Sequence, residues 1–487
     1  MPLLGNPPVF TYEDTTRKLL GAKDSDGEDR HFLFRGDTAG AGVQWYMAVL
    51  GDSQPHNAIY SSGAGSTTPL GNWFADGSTD NYWRSWGWPS WVGPMSMQRI
   101  QVVKSWARQT NGILTPGTNP AGYPLSLQIT TMLADPIYSK VNVVALMVPT
   151  NDTAYSLSVW AQELRKQLAR ISKLVLLIAA PPRNDSVATT DGGDGLRGWA
   201  WLLQARKIAR QIADESNGRI KWVDGYTKNN TPGTTPDVAP AGTLLAADNI
   251  HTSNVGAYNI SDAVVAALGQ ISTTTDIDVW PHNSSAADTV GTSPSYRLDQ
   301  GIVNPLMLSA GGTVPAGTAY GNQTIAAVGA PTSVTGATGT ASPLGFGNLQ
   351  QVTTVALASG DGFSALTASF HNAGGTFLSA GDAAWVQAYV VLKAGGIYPR
   401  TMELRLAGFQ NPTNYIYACF ALNATNEYAL PLSGDRAFLL RTPTFYAPVG
   451  INLSNLQGRL LVYYAGAGTS VVQYGHFECR RFRSGTY

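Results

Sequence analysis

The chain has 487 residues, 13% of them charged, and its 32 basic and 32 acidic residues give a formal net charge of zero. A nucleic-acid-binding surface needs an excess of Lys and Arg, so this balance argues against a nucleic-acid partner. No stretch reaches the roughly 18 to 20 consecutive apolar residues that a bilayer span requires, which argues against membrane insertion. The length predicts two or three domains, because domains usually contain about 100 to 200 residues.

Residues 1–40 are polar and rich in turn residues, which is typical of a connector or docking segment. The first residues lack the basic start and apolar core of a secretory signal. We therefore expect a protein that acts inside the cell that makes it or leaves by another route, such as assembly into a particle. Two cysteines, Cys419 and Cys479, are too few for a disulfide framework or a four-thiolate zinc site.

Residues 41–271 alternate apolar runs of strand length with amphipathic segments of helix length, the pattern of parallel strands joined by crossover helices. The apolar runs lie at Trp45–Leu50, Ile100–Val103, Val141–Val148, Leu174–Ala179 and Ile220–Val223. Helical periodicity predicts helices at Tyr155–Ser172 and Leu196–Ser216. An open parallel sheet places its ligands at the carboxyl ends of the strands, so the site is expected there.

The pattern changes near residue 270. Residues 272–345 are rich in Gly, Ser, Thr, Ala and Pro and form either a linker or the beginning of a β-domain. In residues 346–487, short strand-like runs separated by turn residues predict a β-sandwich or jelly roll. These runs lie at Gln351–Ala358, Ala365–Phe370, Ala384–Leu392, Met402–Leu406, Tyr415–Leu422, Leu460–Tyr464 and Val471–Phe477.

Two polar motifs follow predicted strands. The first apolar run leads into Gly51-Asp52-Ser53, where the serine can present its hydroxyl and its own N–H at the sheet edge, although the same residues also form an ordinary turn. The third run is followed by Asn151, whose amide either donates into the same crevice or caps the next helix.

Asp248 and His251 precede the last predicted helix of this half. A histidine base needs a carboxylate to fix its tautomer and stabilise its charged form, and a separation of three residues lets one turn supply both. The alternative is a solvated turn. Because the three motifs all fall at a strand end or before a helix, we favour a shared site.

In these motifs the sequence resembles the SGNH, or GDSL-type, hydrolases over roughly Gln44–Leu268. The resemblance implies a three-layer α/β fold with a flavodoxin-like parallel sheet, and a serine esterase that needs no metal or cofactor. Ser53 would be the nucleophile, His251 the general base and Asp248 its orienting acid. The Ser53 N–H and the Asn151 amide would belong to the oxyanion hole.

Two positions depart from the family's pattern. The second block of the family supplies a glycine whose N–H joins the oxyanion hole, and Thr110 or Gly112 would take that place here. The third block usually begins with glycine, where this chain has Pro149. Proline removes an N–H and fixes φ but leaves the Asn151 side chain available as a donor.

Aromatic residues are concentrated between the first and second blocks. Indole faces stack on sugar rings as well as pack in cores, so Trp73, Trp83, Trp86 and Trp88 are candidate substrate contacts, although most indoles of this region are expected in the core. Flat aromatic groups beside an esterase site favour an acylated polysaccharide over a long lipid as substrate.

The C-terminal pattern is similar to jelly-roll modules of carbohydrate-binding and phage fibre proteins, and it equally fits a sandwich used only for trimer assembly. We therefore expect a deacetylase of a host surface glycan, carried as a tail or head spike on a phage or phage-like virion. It would be a homo-oligomer bound to other virion proteins. The alternatives are an extracellular bacterial carbohydrate esterase with a binding module, and a receptor-binding spike whose hydrolase fold is inactive.

Overall fold

The structure is a computed structural model. It describes residues 9–13, 18–23, 29–30, 44–56, 82–84, 87–108, 110–116, 122–148, 150–185, 187, 190–230, 244–245, 249–269, 313–315, 319–320, 323–343, 348–367, 378, 381–410, 413–421, 429–442, 444–447 and 456–482. Within the expected N-terminal connector, β1 (Val9–Glu13), β2 (Lys18–Lys23) and β3 (Asp29–Arg30) form an antiparallel sheet. Over the described ranges, no helix combines the length and the apolar character that a membrane crossing requires.

A five-stranded parallel sheet forms the centre of the N-terminal half. Its strands are β4 (Trp45–Leu50), β6 (Ile100–Ser105), β7 (Val143–Met147), β8 (Leu174–Ile178) and β9 (Ile220–Val223). Strand β5 (Tyr82–Arg84) lies between the first two in the chain and belongs to another sheet. The spatial order β6-β4-β7-β8-β9 is the 2-1-3-4-5 order of flavodoxin-like folds, which confirms the predicted fold class.

Helices cover both faces of this sheet. They are α1 (Ser53–His56), α2 (Pro89–Met95), α3 (Leu125–Ala134), α4 (Leu157–Ala169), α5 (Gly198–Asp214) and α6 (Asn254–Ala267). Alternate strand residues divide between two cores, one shared with α2 and α6 and the other with α3, α4 and α5. The result is the three-layer arrangement expected for a parallel sheet buried on both faces.

The C-terminal half is built from two antiparallel sheets. Its strands are β10 (Thr313–Pro315), β11 (Ala319–Tyr320), β12 (Gln323–Val328), β13 (Ser333–Ala341), β14 (Asn348–Ala356), β15 (Gly362–Thr367), β16 (Ala383–Leu392), β17 (Pro399–Gln410), β18 (Thr413–Ala421), β19 (Arg436–Arg441), β20 (Phe445–Tyr446), β21 (Gln457–Tyr464) and β22 (Gly468–Phe482). One sheet has the order β10-β13-β14-β22-β16-β19, and β20 also pairs with β16. The other has the order β11-β12-β15-β21-β17-β18-β5. Alternate residues of both sheets enter one core, as in a β-sandwich.

The stretch 272–345, left open as a linker or a β-domain start, contributes strands β10 to β13 to both sheets. Strand β5, from the insertion after the first block, runs parallel to β18 and extends the second sheet. The sandwich is therefore assembled from more of the chain than residues 346–487.

One hydrophobic cluster continues from the α/β half into the sandwich. Trp91 of α2 contacts Tyr258 of α6 and Phe438 of β19 edge to face, with ring centroids 5.5 and 6.1 Å apart. Gln98 Nε2 donates to the Leu439 carbonyl oxygen at 2.6 Å. The two halves thus meet through side chains packed as in a domain interior.

Candidate active site

The predicted nucleophile begins α1 directly after β4, and its side chain is half-buried. The preceding Gly51 has φ 136°, and a Cβ there would lie 2.8 Å from Pro55 Cγ, so only glycine fits this turn. Buried Gln128 holds the Gly51 peptide from both sides, because its Oε1 accepts the N–H and its Nε2 donates to the carbonyl oxygen, each at 3.0 Å. Gln128 therefore holds the backbone two residues before Ser53 in place.

Asp52 joins this turn to the end of β7. Its fully buried carboxylate accepts the Gln54 N–H at 3.0 Å and the N–H and hydroxyl of Thr150 at 2.9 and 3.1 Å. Burial raises the pKa of Asp52, and these hydrogen bonds together with the charge of His251 oppose that increase only in part. Asp52 thus lies within electrostatic range of the predicted base.

Gln54 joins the same turn to the loop of His251. Its Nε2 donates to the Ile250 carbonyl oxygen at 2.5 Å, and its Oε1 accepts the Thr252 N–H at 3.3 Å. The structure therefore brings the serine turn and the histidine loop together. Asp248, the predicted partner of His251, lies outside the described residues, and its role stays a prediction.

The loops at the carboxyl edge form a closed circuit of hydrogen bonds. Arg183, after β8, donates through Nη1 to the Thr150 carbonyl oxygen at 3.1 Å and pairs with Asp185 at 2.6 Å. The Asn184 N–H donates to the Asn249 carbonyl oxygen at 2.8 Å, and this bond joins the loop after β8 to the histidine loop. Since Asp52 and Gln54 close the circuit on the other side, the Ser53 turn, the loop after β7, the loop after β8 and the His251 loop are bonded to one another.

Asn151 does not cap the following helix. Ser156 is the N-cap of α4, where its Oγ accepts the Val159 N–H at 3.4 Å. The half-buried Asn151 amide instead donates through Nδ2 to the Asn111 carbonyl oxygen at 3.0 Å. A primary amide has two N–H groups, and this bond uses one of them while it fixes the orientation of the other.

The two candidates for the second-block donor differ in geometry. The Gly112 N–H donates to the Thr115 carbonyl oxygen at 3.0 Å, and a Cβ at Gly112 would lie 2.1 Å from Asp152 Oδ1. Gly112 therefore has a structural role, because its N–H closes a turn and its missing side chain makes room for a carboxylate. Thr110 has φ 58°, the left-handed conformation that favours glycine, and it remains the predicted donor.

Asp152 organises the second-block segment, a role that the sequence analysis missed. Its fully buried carboxylate accepts the N–H groups of Ile113, Leu114 and Thr115 at 2.6, 3.2 and 2.9 Å. It also accepts the Thr115 hydroxyl at 2.8 Å and the Trp160 indole N–H at 3.2 Å. An aspartate between a buried strand and a helix is the signal that could have found it, since a buried carboxylate needs several donors.

The predicted tryptophan contacts separate into two groups. Trp88 is fully buried beside α2 and belongs to the core, so its prediction as a substrate contact was wrong. Trp83 lies in β5, of which only the backbone is described, and Trp73 and Trp86 lie outside the described residues. Among the described side chains, no three His, Cys, Asp or Glu residues are grouped to hold a metal.

No protein-family model matches the sequence, and no curated protein sequence matches it. The α/β half is similar to a carbohydrate acetylesterase family member from Sinorhizobium meliloti, with 13% identity, a TM-score of 0.32 and coverage of 46% of this chain and 99% of that one. It is also similar to an aryl esterase from M. smegmatis, with 12% identity, a TM-score of 0.32 and coverage of 47% and 100%. A lipase/acylhydrolase from Enterococcus faecalis has 15% identity, a TM-score of 0.32 and coverage of 47% and 97%.

Proposed function

We propose that the protein is an SGNH-type serine ester hydrolase. The observation that carries the proposal is the circuit of hydrogen bonds that joins the Ser53 turn, the loop after β7 and the His251 loop. Such a frame supports the proposal because acyl transfer requires a nucleophile, a base and an amide donor close together.

The proposed reaction proceeds through an acyl-enzyme. Ser53 Oγ attacks the ester carbonyl carbon as His251 takes its proton, and Asp248 stabilises the imidazolium. The oxyanion accepts hydrogen bonds from the Ser53 N–H, the Asn151 amide and the Thr110 N–H. Collapse expels the alcohol, which receives the proton from His251. Water activated by the same histidine then releases the acid and restores the serine.

We propose an acylated, in particular acetylated, surface polysaccharide as the substrate. The aromatic-rich insertion after the first block supports this substrate, because indole faces stack on sugar rings. Strand β5 of the insertion pairs with β18 of the sandwich, which connects the insertion with the second half.

We also propose that the protein is an oligomeric spike or fibre of a phage-like particle. This placement is supported by the sequence pattern of the C-terminal half.

Hydrolysis of 4-nitrophenyl acetate tests the esterase proposal. Ser53→Ala should lower kcat at least about a thousandfold, because removal of the nucleophile eliminates the acyl-enzyme. Ser139→Ala is the matched control, since Ser139 is an exposed serine in the segment that precedes β7 at the opposite edge of the sheet. Full activity of Ser53→Ala would overturn the proposal.

Acetate release from a panel of acetylated capsule and O-antigen polysaccharides tests the substrate. We expect release from at least one polymer by the wild-type protein and none by Ser53→Ala. Binding of a polymer without hydrolysis of any ester would instead favour the inactive receptor-binding spike. Immunogold detection of the chain on purified particles would test the virion placement, and its absence there would favour the extracellular bacterial esterase.

A further inference from the structure

Gln54 follows the proposed nucleophile directly, and its side chain is buried, with 4% exposed. Its amide bonds the Ile250 carbonyl oxygen at 2.5 Å and the Thr252 N–H at 3.3 Å. These two backbone groups stand on either side of His251 in the chain. The Gln54 side chain therefore bonds the backbone immediately before and immediately after the proposed base.

The histidine segment is short and irregular, so its position depends on such contacts. It begins at Asn249, which has φ 60°, and it ends at Ser253, the N-cap of α6. The Asn184 N–H and the Leu244 carbonyl oxygen hold these two ends. Among the described hydrogen bonds, those of Gln54 join the segment to the serine turn.

A glutamine suits this position chemically. The amide presents a donor and an acceptor in one plane, and here it satisfies a carbonyl oxygen and an N–H that lie two residues apart. Methionine would keep most of the shape and neither hydrogen bond. Proton transfer needs the serine oxygen and the imidazole nitrogen within about 2.6 to 3.2 Å, so a small shift of the segment would slow it.

We propose that Gln54 is a positioning residue that holds His251 in reach of Ser53. The inference rests on the proposed function. Gln54 acts through its hydrogen bonds to the backbone of Ile250 and Thr252. Because it follows Ser53 in the chain, the nucleophile and the base are held as one unit.

Gln54→Met should lower kcat for 4-nitrophenyl acetate at least about tenfold and leave KM within about threefold, since misplacement of a catalytic group affects the chemical step more than ground-state binding. Gln350→Met is the matched control. Gln350 is 1% exposed and donates to the Ala337 and Gln351 carbonyl oxygens at 2.9 and 3.2 Å, in the sandwich. The control should lose a similar amount of stability and keep its kcat.

The decisive comparison repeats Gln54→Met in a His251→Ala background. If Gln54 acts through the histidine, the residual rate should change less than about twofold, because coupled residues are not additive. An equal fold-loss in both backgrounds, or a wild-type kcat in Gln54→Met, would overturn the proposal. Gln54→Asn, which is shorter and still polar, serves as the second variant if the methionine variant does not fold.

Hydrogen exchange separates this inference from the proposed function. The Thr252 amide should exchange faster in either Gln54 variant than in the wild-type protein, because it loses its acceptor. This readout needs no turnover. Absence of ester hydrolysis by the wild-type protein would contradict the proposed function, whereas unchanged exchange at Thr252 would contradict the positioning role.

Discussion

Asn151 and Asp152 are neighbours in the chain, but their side chains differ in burial and in hydrogen-bond partners. The Asn151 amide is half-buried and bonds the Asn111 carbonyl oxygen, so it lies where a ligand could reach it. The Asp152 carboxylate is fully buried and accepts donors from Ile113 to Thr115. The first is the proposed oxyanion donor, and the second supports the adjoining loop.

Asn151→Ala should lower kcat for a small aryl ester at least about a hundredfold, because it removes a donor to the oxyanion. Steady-state kinetics and thermal melting would be measured on the same sample. Asn142→Ala is the control, since Asn142 bonds the Tyr46 N–H and the Gln44 carbonyl oxygen, each at 2.8 Å, at the amino edge of the sheet. The control should lose stability and keep kcat. A wild-type kcat in Asn151→Ala would remove this residue from the oxyanion hole.

The sequence could predict Ser53, Asn151 and His251 as candidates because each stands next to the end of a strand or the start of a helix. It could not identify Gln54 or Gln128. Gln54 bonds a residue 196 positions away, and Gln128 bonds one 77 positions away. Such roles depend on how the loops meet, which local pattern does not encode.

At the scale of elements, the apolar runs predicted five parallel strands whose ends the structure confirms to within two residues. Strand β19 was missed because Arg436–Arg441 is a short run between charged residues. Strand β13, Ser333–Ala341, lies in the stretch left open as a linker or a β-domain start, because small residues weaken its alternation. In both strands, pairing with neighbours outweighs a weak local preference.

The segment after β6 depends on the Asp152 side chain, which accepts the N–H groups of Ile113, Leu114 and Thr115. Asp152→Asn should lower the free energy of unfolding by about 2 to 3 kcal/mol, because an amide replaces a charged acceptor and turns a donor toward buried N–H groups. It should also lower kcat, since Thr110 and Asn111 belong to the same segment. Urea denaturation, kinetics and amide exchange of Ile113 and Thr115 would test this. Lost stability with unchanged kcat would show that the segment contributes nothing to catalysis.

At the scale of the whole molecule, the sandwich supports the helix that follows the histidine loop. Asn254, the first residue of α6, donates through Nδ2 to the Arg400 carbonyl oxygen at 3.0 Å. Asp262 of the same helix pairs with Arg436 at 3.2 Å. The change of pattern near residue 270 does not reveal this contact, because it joins residues far apart in the chain.

A protein that ends at Ser272 should therefore be unstable and lose activity on small esters as well as on polymer. Its shortened chain would expose the apolar face of α2, including Trp91, that the sandwich covers. In the full chain, Trp91→Ala should lower the free energy of unfolding by about 3 to 5 kcal/mol. Calorimetry should show one cooperative transition for the full chain. Cooperative melting and full small-ester activity of the shortened protein would instead establish independent halves.

Active-site labelling tests the central claim, that Ser53 is a nucleophile activated by His251, most directly. The protein would be treated with a fluorophosphonate, and the labelled residue would be located by peptide mass spectrometry. We expect one adduct, on Ser53, absent in Ser53→Ala and formed at least about a hundredfold more slowly in His251→Ala, because the base no longer accepts the serine proton. An adduct on another residue, or an unchanged labelling rate in His251→Ala, would contradict this account.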